Sequence, residues 1–405
     1  MQMSAAQLRK SRLAPNHNHC PLVRYFLMPY WRLSGFYFFY FAALGALVPY
    51  WSVYLRSTGF DETDIGKLMA LLMLSRIVAP YLWGWIADNR GQRMLVVRLA
   101  ALLAAVTYVG VFFSTNFWWL ALVMLIFSFF WNATLPQLEA ATMSHLGGEA
   151  TRYARVRLWG SVGFIVAVIG LGLLFDRVET WWLLPVVLML LVGIWVSSLL
   201  VPERELETHV EHPGSFLKVI MRPEVFAFLA TCLLMQASPG PYYTFYTIYL
   251  SDHGYSKTLI GMLWALGVVC EIGVFIYLQN VRTRISLRQI LLGSFALATG
   301  RWLLIGYFPD NLGILVLAQV LHAATFGAYH ATAVEMVHKF FRGPHQIRGQ
   351  AIYGSISFGV GGALGSYYSG YTWKYISPEF TFTIAALLAF SAIIVAWRWV
   401  RPETG

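Results

Sequence analysis

Long apolar stretches without any charge recur along the whole chain. Leu33–Leu55 is the first of them, Phe380–Trp397 is close to the last, and no charged residue occurs between Leu99 and Leu138. A helix needs about 20 mostly apolar residues to cross the hydrocarbon core of a bilayer. The pattern therefore predicts membrane-spanning helices from near the beginning of the chain to near its end.

The apolar stretches predict an all-α membrane protein of twelve transmembrane helices, arranged as two pseudo-symmetric six-helix halves. The composition supports this fold class, because 58% of the 405 residues are hydrophobic and only 12% are charged. In a soluble domain about a quarter of the residues are charged. The predicted spans are 33–55, 67–87, 94–114, 117–142, 158–175, 180–201, 224–250, 258–280, 289–308, 312–338, 350–372 and 380–398.

The basic residues are distributed unevenly between the two sides of the predicted bundle. If the N-terminus is cytoplasmic, 22 of the 29 Lys and Arg residues fall in cytoplasmic segments, namely the two termini and every second connection. This asymmetry is the positive-inside rule, which places the Lys- and Arg-rich segments in the cytoplasm. It predicts a multi-pass protein of the bacterial inner membrane with both termini cytoplasmic. The net charge of +10 follows from the same distribution, so we do not expect nucleic acid as a partner.

Two stretches of different composition divide the chain. Residues 1–31 are polar and basic and lack the apolar core and cleavage site of a signal peptide, so we expect a cytoplasmic N-terminal tail. Residues 202–223 combine several glutamates with His and Pro. We expect them to form a cytoplasmic linker between one six-helix half at 32–201 and another at 224–398, with a short cytoplasmic tail at 399–405.

An internal repeat relates the two halves. The motif at 54–60 (YLRSTGF) reappears at 249–255 (YLSDHGY), and the motif at 159–164 (WGSVGF) reappears at 353–358 (YGSISF), at a nearly constant offset. Repeats of equal orientation are related by an axis along the membrane normal, and substrate sites lie where such repeats meet. The repeat therefore predicts a central substrate site between the halves.

Several ionisable residues fall inside the predicted spans. A charge at mid-membrane costs about 2.5–3.5 kcal/mol on insertion scales, so it is retained where it is paired, lines water or has a function. Arg76 and Glu271 occupy equivalent positions in the two halves, and we expect them to face the central cavity from opposite sides. Two interpretations of Arg76 and Glu271 remain: a static ion pair that holds helices together, or a site that binds the substrate or a proton. The residues in question are Arg76, Glu139, Glu271, Arg301, Glu335, His322 and His330.

The roles of the remaining ionisable residues differ. For Glu335, near the predicted cytoplasmic face, we favour a structural pairing with Arg342 or Arg348. Each of the two histidines is equally well explained as a hydrogen-bonded residue of the bundle interior or as a proton carrier. Burial raises the pKa of a carboxylate and a nearby arginine lowers it. Movement of a substrate or a helix can therefore switch the carboxylate between its protonated and ionised forms. Such a switch can couple a proton to transport.

The connection between the second and third predicted spans contains Gly84, Asp88, Gly91 and Arg93. The glycines permit a tight reversal of the chain, and Asp88 offers a charge that basic residues can hold or release. This connection resembles the signature between helices 2 and 3 of the major facilitator superfamily, with Asn89 where a basic residue is usual. The resemblance implies a conformational switch in this loop.

A more specific resemblance begins at the fifth predicted span, in the segment 155–164 (RVRLWGSVGF). This segment is similar to the corresponding stretch of lactose permease and, more closely, of the proton-linked phenylpropionate permease family. The second similarity extends over nearly the whole chain and omits only the N-terminal tail. It includes Arg76 and the segments 49–53, 263–271, 301–302, 321–322 and 350–353.

The resemblance implies roles for individual residues. In lactose permease a Glu on helix 4 and an Arg that opens helix 5 hold the sugar hydroxyls, and Glu139 and Arg157 match these positions. Phe164 stands where an aromatic residue stacks on the sugar ring. An Arg on helix 9 and a His on helix 10 are matched by Arg301 and His322.

Proton coupling is implied by the resemblance, but the acid that carries the proton in lactose permease is replaced here by Thr325. We expect Glu271 to carry the proton instead. Arg301 or Arg76 would be the partner that favours the ionised form of Glu271, with His322 as a further member of the proton-coupling group.

The predicted function is proton-coupled symport of a small organic substrate by alternating access, in particular of an aromatic carboxylate such as 3-phenylpropionate. Guanidinium groups suit a carboxylate, and aromatic side chains could form a wall for the ring, although the same side chains could pack or face lipid. The predicted substrate-binding residues are Arg76, Glu139, Arg157, Phe164, Trp51, Tyr242 and Tyr243.

Other functions remain as alternatives. The substrate could be a sugar or a nucleoside. A membrane-embedded enzyme or sensor is a remote alternative, because the chain contains no P-loop, no HExxH motif and no Cys-rich metal spacing. We therefore expect no enzymatic activity, no cofactor and no metal, and a functional monomer whose partners are a small-molecule substrate, protons and the lipid bilayer.

Overall fold

The computed structural model describes residues 30–146, 150–203 and 216–400. The chain is almost entirely helical in these residues, and they include no β-strand. Most of the predicted N-terminal tail, of the predicted linker and of the C-terminal tail lies outside the described residues, and the last two residues of the predicted N-terminal tail belong to the first helix.

Six helices make up the first half of the bundle. They alternate in direction because short connections join them, and each begins or ends close to a polar turn. The helices are α1 (Tyr30–Ser57), α2 (Glu62–Arg90), α3 (Arg93–Tyr108, continued by a 3₁₀ turn, Val109–Phe112), α4 (Phe117–Leu146), α5 (Ala150–Phe175) and α6 (Leu183–Leu200).

Six helical stretches make up the second half. Three of them are interrupted, the first near Pro239, the fourth by the π-helical turn Ala323–Ala328 and the fifth by another π-helical turn. They are α7a (Pro223–Ala237) with α7b (Gly240–Asp252), α8 (Lys257–Arg282), α9 (Leu287–Tyr307), α10 (Leu312–Phe340), α11 (Gln346–Gly354, the π-helical turn Ser355–Gly361, and Gly362–Tyr375) and α12 (Pro378–Trp399).

Ten helices in the described residues are long and apolar enough to cross a membrane. These ten are α1–α6, α8–α10 and α12, and α7 and α11 complete the bundle. The prediction of twelve spans is consistent with this arrangement. The all-helical membrane fold expected from the apolar pattern is confirmed.

Packing within the two halves follows the internal repeat. Each main helix pair of the first half has a counterpart six helices later, because equivalent segments bury equivalent faces. The corresponding pairs are α1–α5 with α7–α11, α2–α4 with α8–α10, α3–α4 with α9–α10, α3–α6 with α9–α12, and α1–α6 with α7–α12. Between the halves, α5 packs on α8, α2 packs on α11, and α1 packs on α7b.

Glycines mark the same turn in both halves. Gly59 follows α1 with φ +94°, and Gly254 follows α7b with φ +81°. A residue with a Cβ is strained in this left-handed region, so glycine is the residue that reverses the chain there. Both glycines belong to the repeated motif, so the motif recurs because each half needs a left-handed turn at this point.

Close helix packing between the halves depends on another pair of glycines. The Cα of Gly370 in α11 lies 2.7 Å from the position that a Cβ would take at Gly66 in α2. Small residues let two helices approach closely in a membrane. A side chain at either position would separate α2 from α11, which is one of the main contacts between the halves.

Two ion pairs join the halves at one end of the bundle. We call the end where α1 begins and α12 finishes the terminal end, and the opposite end the far end. At the far end, Arg56 Nη1 lies 2.8 and 2.7 Å from the two carboxylate oxygens of Asp252. Lys374 Nζ lies 2.7 Å from Asp61 Oδ2. Each pair has one partner in the first half and one in the second.

A carboxylate from the first half also caps a helix of the second half at the far end. Asp176, just after α5, accepts hydrogen bonds from the backbone N–H of Lys257 (2.7 Å) and Thr258 (3.0 Å) at the start of α8. Partial burial alone would raise the pKa of Asp176, but the hydrogen bonds from Thr258 and Lys257 outweigh it and hold the pKa below its usual value. Asp176 therefore stays ionised at neutral pH, and its negative charge stabilises the N-terminus of α8.

Removal of these far-end carboxylates is expected to let the halves separate there. Single surface ion pairs contribute little, so the variant combines Asp61→Ala, Asp176→Ala and Asp252→Ala. Electron-spin distance measurements between labels at Thr115 and Asp310, both exposed at the far end, should gain a population of longer distances. Asp64→Ala is the control, because Asp64 pairs with Lys67 within α2. Identical distance distributions in the triple variant and the control would contradict the assignment.

Candidate functional site

Arg157, on α5, lies in the first half and faces the gap between the halves. Its Cζ atom lies 3.8 Å from the centroid of the Phe41 ring on α1, a contact between a cation and an aromatic face. Its charge interacts with that of Glu139 on α4, and the Tyr153 hydroxyl donates to Glu139 Oε1 at 3.3 Å. With the described residues the guanidinium of Arg157 forms no ion pair within 4 Å. Its N–H groups therefore remain available to a ligand.

The same guanidinium also faces the second half. Glu271 on α8 and His330 on α10 both interact electrostatically with Arg157. The sequence predicted Arg301 or Arg76 as the partner of Glu271, but in the described residues the cation that interacts with Glu271 is Arg157. One arginine thus stands between carboxylates from the two halves.

Glu271 pairs with a histidine inside the second half. Its Oε2 lies 3.7 Å from Nε2 of His322 on α10, and the two side chains are 17% and 8% exposed. The His322 ring stacks on Phe326 with an interplanar angle of 3°. Among the described residues His322 Nδ1 has no hydrogen-bond partner and is buried. The pair predicted for proton coupling is therefore brought together.

Arg301, on α9, is a buried cation held by neutral groups. Its Nε donates to the Ala318 carbonyl at 2.8 Å, and its Nη1 donates to Thr325 Oγ1 at 3.1 Å. The guanidinium lies 4.5 Å from the Tyr242 ring centroid and 4.6 Å from that of Trp302. Hydrogen bonds and aromatic faces compensate its burial in part, so Arg301 adds a fixed positive charge to the second half.

Arg76, on α2, is anchored to its own half. Its Nε donates to Asn132 Oδ1 on α4 at 3.1 Å. Its charge interacts with the hydroxyls of Tyr40 and of Tyr243, the second of which lies on α7b in the other half. Arg76 and Glu271 occupy equivalent helices, as the repeat predicts, but each has partners of its own.

An aromatic cluster lines the second half beside these charges. The Tyr242 ring lies 4.5 Å from that of Trp264, and its hydroxyl donates to Gln319 Oε1 at 2.9 Å. Tyr243 stacks on Trp264 at 6.2 Å and is only half-buried. Sequence reasoning singled out the two tyrosines but missed Trp264 and Gln319. The only available signal was that Trp264 lies in the segment shared with the phenylpropionate permease family.

Two other predicted aromatic residues lie in the first half. Trp51 is 1% exposed and packs on Tyr54 and Tyr108, with ring centroids 5.2 and 6.1 Å away. Phe164 is buried, and its backbone lies against Gly45 of α1. Sequence alone could not distinguish packing from substrate contact for such residues, since both favour large apolar side chains.

The loop predicted as a conformational switch contains an ion pair. Arg93 Nη2 lies 2.7 Å from Asp88 Oδ1, which joins the end of α2 to the start of α3. Gly91 follows α2 with φ +64° and permits the reversal. A Cβ at Gly84 would lie 3.3 Å from Gln137 on α4, so this glycine lets α2 approach α4.

Glu335 is paired, but not with the partners that the sequence suggested. Its carboxylate contacts the guanidinium of Arg282 at the end of α8 and lies 3.8 Å from Lys339 Nζ. The expected structural pairing of Glu335 is thus made with Arg282 and Lys339 and not with Arg342 or Arg348, since Lys339 lies one helical turn away on α10 and α8 brings Arg282 close in the folded bundle. In the described part of the chain, no group of three or more His, Cys, Asp or Glu residues could hold a metal ion.

Comparisons with known proteins give matches over the whole bundle. The family model described as MFS_1 like family matches residues 30–384. The probable 3-phenylpropionic acid transporter of Escherichia coli (strain K12) is 30% identical over 377 residues, which cover 92% of this chain and 97% of that protein. The maltose permease of Geobacillus stearothermophilus is 23% identical over 378 residues, which cover 89% and 92%. A crystal structure of a mutant of the nucleoside transporter NupG has a TM-score of 0.80 at 18% identity and covers 91% of this chain and 98% of that one.

Proposed function

The chain belongs to the MFS_1 like family of transporters, and we propose that it is a proton-coupled symporter of a small aromatic carboxylate such as 3-phenylpropionate. It is a multi-pass membrane transporter of the major facilitator type and not an enzyme. In the proposal it acts as a monomer by alternating access in the bacterial inner membrane, with both termini in the cytoplasm.

The observation that carries the proposal is the position of Arg157 between the halves. Its guanidinium is oriented by the Phe41 ring and interacts with Glu139 from one half and Glu271 from the other. A carboxylate can accept two parallel N–H bonds from such a planar group. A substrate carboxylate bound there would touch the charges of both halves at once.

The balance of charge inside the spans also favours an anion. Three arginines and two glutamates lie in or beside the gap between the halves, which leaves one positive charge in excess when both acids are ionised. An unbalanced charge in a low-dielectric interior is costly, and a monocarboxylate would remove the excess. A sugar or nucleoside would not. The five residues are Arg76, Arg157, Arg301, Glu139 and Glu271.

The proton enters this scheme through Glu271. When the substrate carboxylate binds Arg157, Glu271 loses the cation that stabilises its ionised form. Uptake of a proton then removes the uncompensated charge, with His322 at 3.7 Å as the adjacent exchange partner. The neutral Glu271 allows the halves to rock. Release of the substrate and of the proton then restores the electrostatic interaction of ionised Glu271 with Arg157.

The far-end contacts define the conformation in this scheme. Arg56–Asp252, Asp61–Lys374 and the capping of α8 by Asp176 hold the halves together at that end. Arg157 and Glu271 are half-buried. Because the far end is held closed, we infer that the gap beside them opens toward the terminal end. With cytoplasmic termini this is the inward-facing state, and the Asp88–Arg93 loop lies at the cytoplasmic surface.

The aromatic ring of the substrate would lie against the cluster of the second half. Tyr243 is half-buried and interacts with the charges of Arg301 and Glu271. Its ring stacks on the buried Trp264, and the buried Tyr242 lies under the Arg301 guanidinium. Stacked rings contribute about 0.5–1.5 kcal/mol beyond the area that they bury. Phe164 remains a predicted member of the wall on the side of the first half, whereas Trp51 packs on Tyr54 and Tyr108 inside that half.

A sugar or a nucleoside remains the alternative substrate class. Two of the similar proteins are named as a maltose permease and a nucleoside transporter. Both cargoes are neutral and rich in hydroxyls, for which Glu139 and Tyr153 would be suitable partners. The single positive charge in excess among the five ionisable residues Arg76, Arg157, Arg301, Glu139 and Glu271 is the observation that favours the aromatic acid.

Competition for uptake in proteoliposomes tests the proposal. With a pH gradient imposed, labelled 3-phenylpropionate is expected to accumulate, and unlabelled aromatic acids should compete while sugars and nucleosides should not. Benzyl alcohol analogues, which keep the ring and lack the carboxylate, are the matched control and should not compete. Competition by sugars or nucleosides together with no effect of aromatic acids would overturn the proposal.

A further inference from the structure

Two π-helical turns interrupt helices of the second half, at Ala323–Ala328 in α10 and at Ser355–Gly361 in α11. In a π-helix the backbone N–H bonds to the carbonyl five residues earlier, and such turns often occur at functional sites. At the end of the first turn, Tyr329 N–H bonds to the Ala324 carbonyl in this way. The turn in α10 therefore changes the register of the side chains that follow His322.

The π-helical turn of α10 is surrounded by the charged residues of the second half. His322 immediately precedes it. Thr325, within the turn, accepts the hydrogen bond from Arg301. Gly327, also within the turn, lies directly against the Glu271 side chain. One turn of backbone thus contacts both the buried cation and the proposed proton carrier.

The contact between Gly327 and Glu271 leaves no room for a side chain. A Cβ built at Gly327 would lie 2.9 Å from Cγ of Glu271 and 3.8 Å from its Cα and Cβ. Carbon atoms in ordinary contact are about 3.5–4.0 Å apart. Either the Glu271 side chain or the turn would have to shift.

We propose that Gly327 is a positioning residue for proton coupling: its lack of a side chain lets Glu271 lie against the π-helical turn of α10, within reach of His322 and Arg157. This inference rests on the proposed function, because it assumes that Glu271 carries the proton. Glycine is otherwise unfavourable here, since it weakens a helix relative to alanine. Its backbone conformation does not require glycine, because no left-handed φ occurs at this residue.

The groups that face Glu271 come from three helices. His322 lies on α10, Arg157 on α5 and Tyr243 on α7b. Displacement of Glu271 from α10 would lengthen its distance to His322 and alter its distance to Arg157. Both changes affect the balance between the ionised and the protonated carboxylate, so the pH profile of transport reports on the position of Glu271.

Gly327→Ala in the full chain tests the inference. Misplacement of a reacting group by about 1 Å can cost roughly 100-fold, and we expect proton-driven accumulation in proteoliposomes to fall at least about tenfold, with a shifted pH profile. Exchange of labelled substrate at equal pH should be retained. Gly273→Ala and Gly300→Ala are matched controls, because a Cβ at either position meets no atom within 4 Å. Both controls should behave like the unmodified protein.

A double-mutant cycle covers the case in which Gly327→Ala is poorly folded. Thermal unfolding in detergent is measured for Gly327→Ala, for Glu271→Ala and for the combined variant. If the Cβ–Cγ contact is the cause, Gly327→Ala should lower the unfolding temperature in the presence of Glu271 and leave it unchanged or raised in the Glu271→Ala background. Equal effects in both backgrounds would overturn the inference.

Failure of this inference can be distinguished from failure of the proposed function. If Glu271→Gln abolishes accumulation while Gly327→Ala and its controls transport alike, only the role of Gly327 is wrong. If Glu271→Gln accumulates substrate normally, Glu271 is not the proton carrier, so the inference about Gly327 fails while proton-coupled symport stands. The proposed function fails if the unmodified protein shows no proton-driven accumulation of aromatic acids.

Discussion

Glu271→Gln is expected to abolish uphill, proton-driven uptake and to leave exchange of labelled substrate measurable. Glutamine keeps the size of the side chain but cannot take up or release a proton. The transporter can then still alternate between its two orientations with substrate bound, but this movement is no longer coupled to a proton. A pH difference of one unit supports roughly a tenfold accumulation when one proton moves with each substrate. Accumulation in proteoliposomes under an imposed pH gradient, measured beside counterflow, separates the two activities.

The control for Glu271→Gln is Glu179→Gln. Glu179 is an exposed carboxylate in the connection between α5 and α6, so the same change in chemistry is made outside the site. It should leave accumulation unaltered. Unchanged accumulation against the gradient in Glu271→Gln would remove this residue from the mechanism.

Arg157→Lys is expected to lose substrate affinity although it keeps the charge. Lysine is a point charge that cannot offer the planar fork or the flat stacking on Phe41 that the guanidinium provides. Hydrogen bonds to charged groups contribute about 1.5–3 kcal/mol each, so a roughly 10- to 100-fold weaker affinity is the expected scale. The change can be measured as the apparent dissociation constant for 3-phenylpropionate in a thermal-shift titration.

Arg155→Lys is the matched control for this second prediction. Arg155 lies two residues earlier on α5 and is exposed, so the same substitution tests the general effect on the helix. It should bind substrate like the unmodified protein. An Arg157→Lys variant with unaltered affinity would assign a structural role to this arginine.

The chemistry of the site was only partly accessible to sequence reasoning. Charged residues inside apolar spans are recognisable because each one needs a reason to remain there, and this identified Arg76, Glu139, Glu271 and Arg301. The partners of these residues were not recognisable. Arg157 lies at the start of a predicted span, where an arginine is unremarkable, and its interaction with Glu271 depends on how α5 packs against α8.

Residues without charge were the hardest to assign from the sequence. Gly327 is one of several glycines in the second half, and nothing in its neighbours along the chain indicates that Glu271 lies against it. Trp51 and Tyr243 are both large aromatic residues in spans, yet the first is 1% exposed in the packed interior of the first half and the second is half-buried beside the gap. Composition cannot separate these environments.

The sequence by itself determined the membrane-spanning helical fold and the duplication of the halves. Both follow from local rules, since an apolar run of sufficient length must satisfy its backbone as a helix within a bilayer, and repeated motifs give repeated packing. Tertiary structure alone decided which charges meet, which end of the bundle is closed, and where a missing Cβ matters. These depend on a few ångströms between helices that are far apart in the chain, and no pattern along one segment contains that distance.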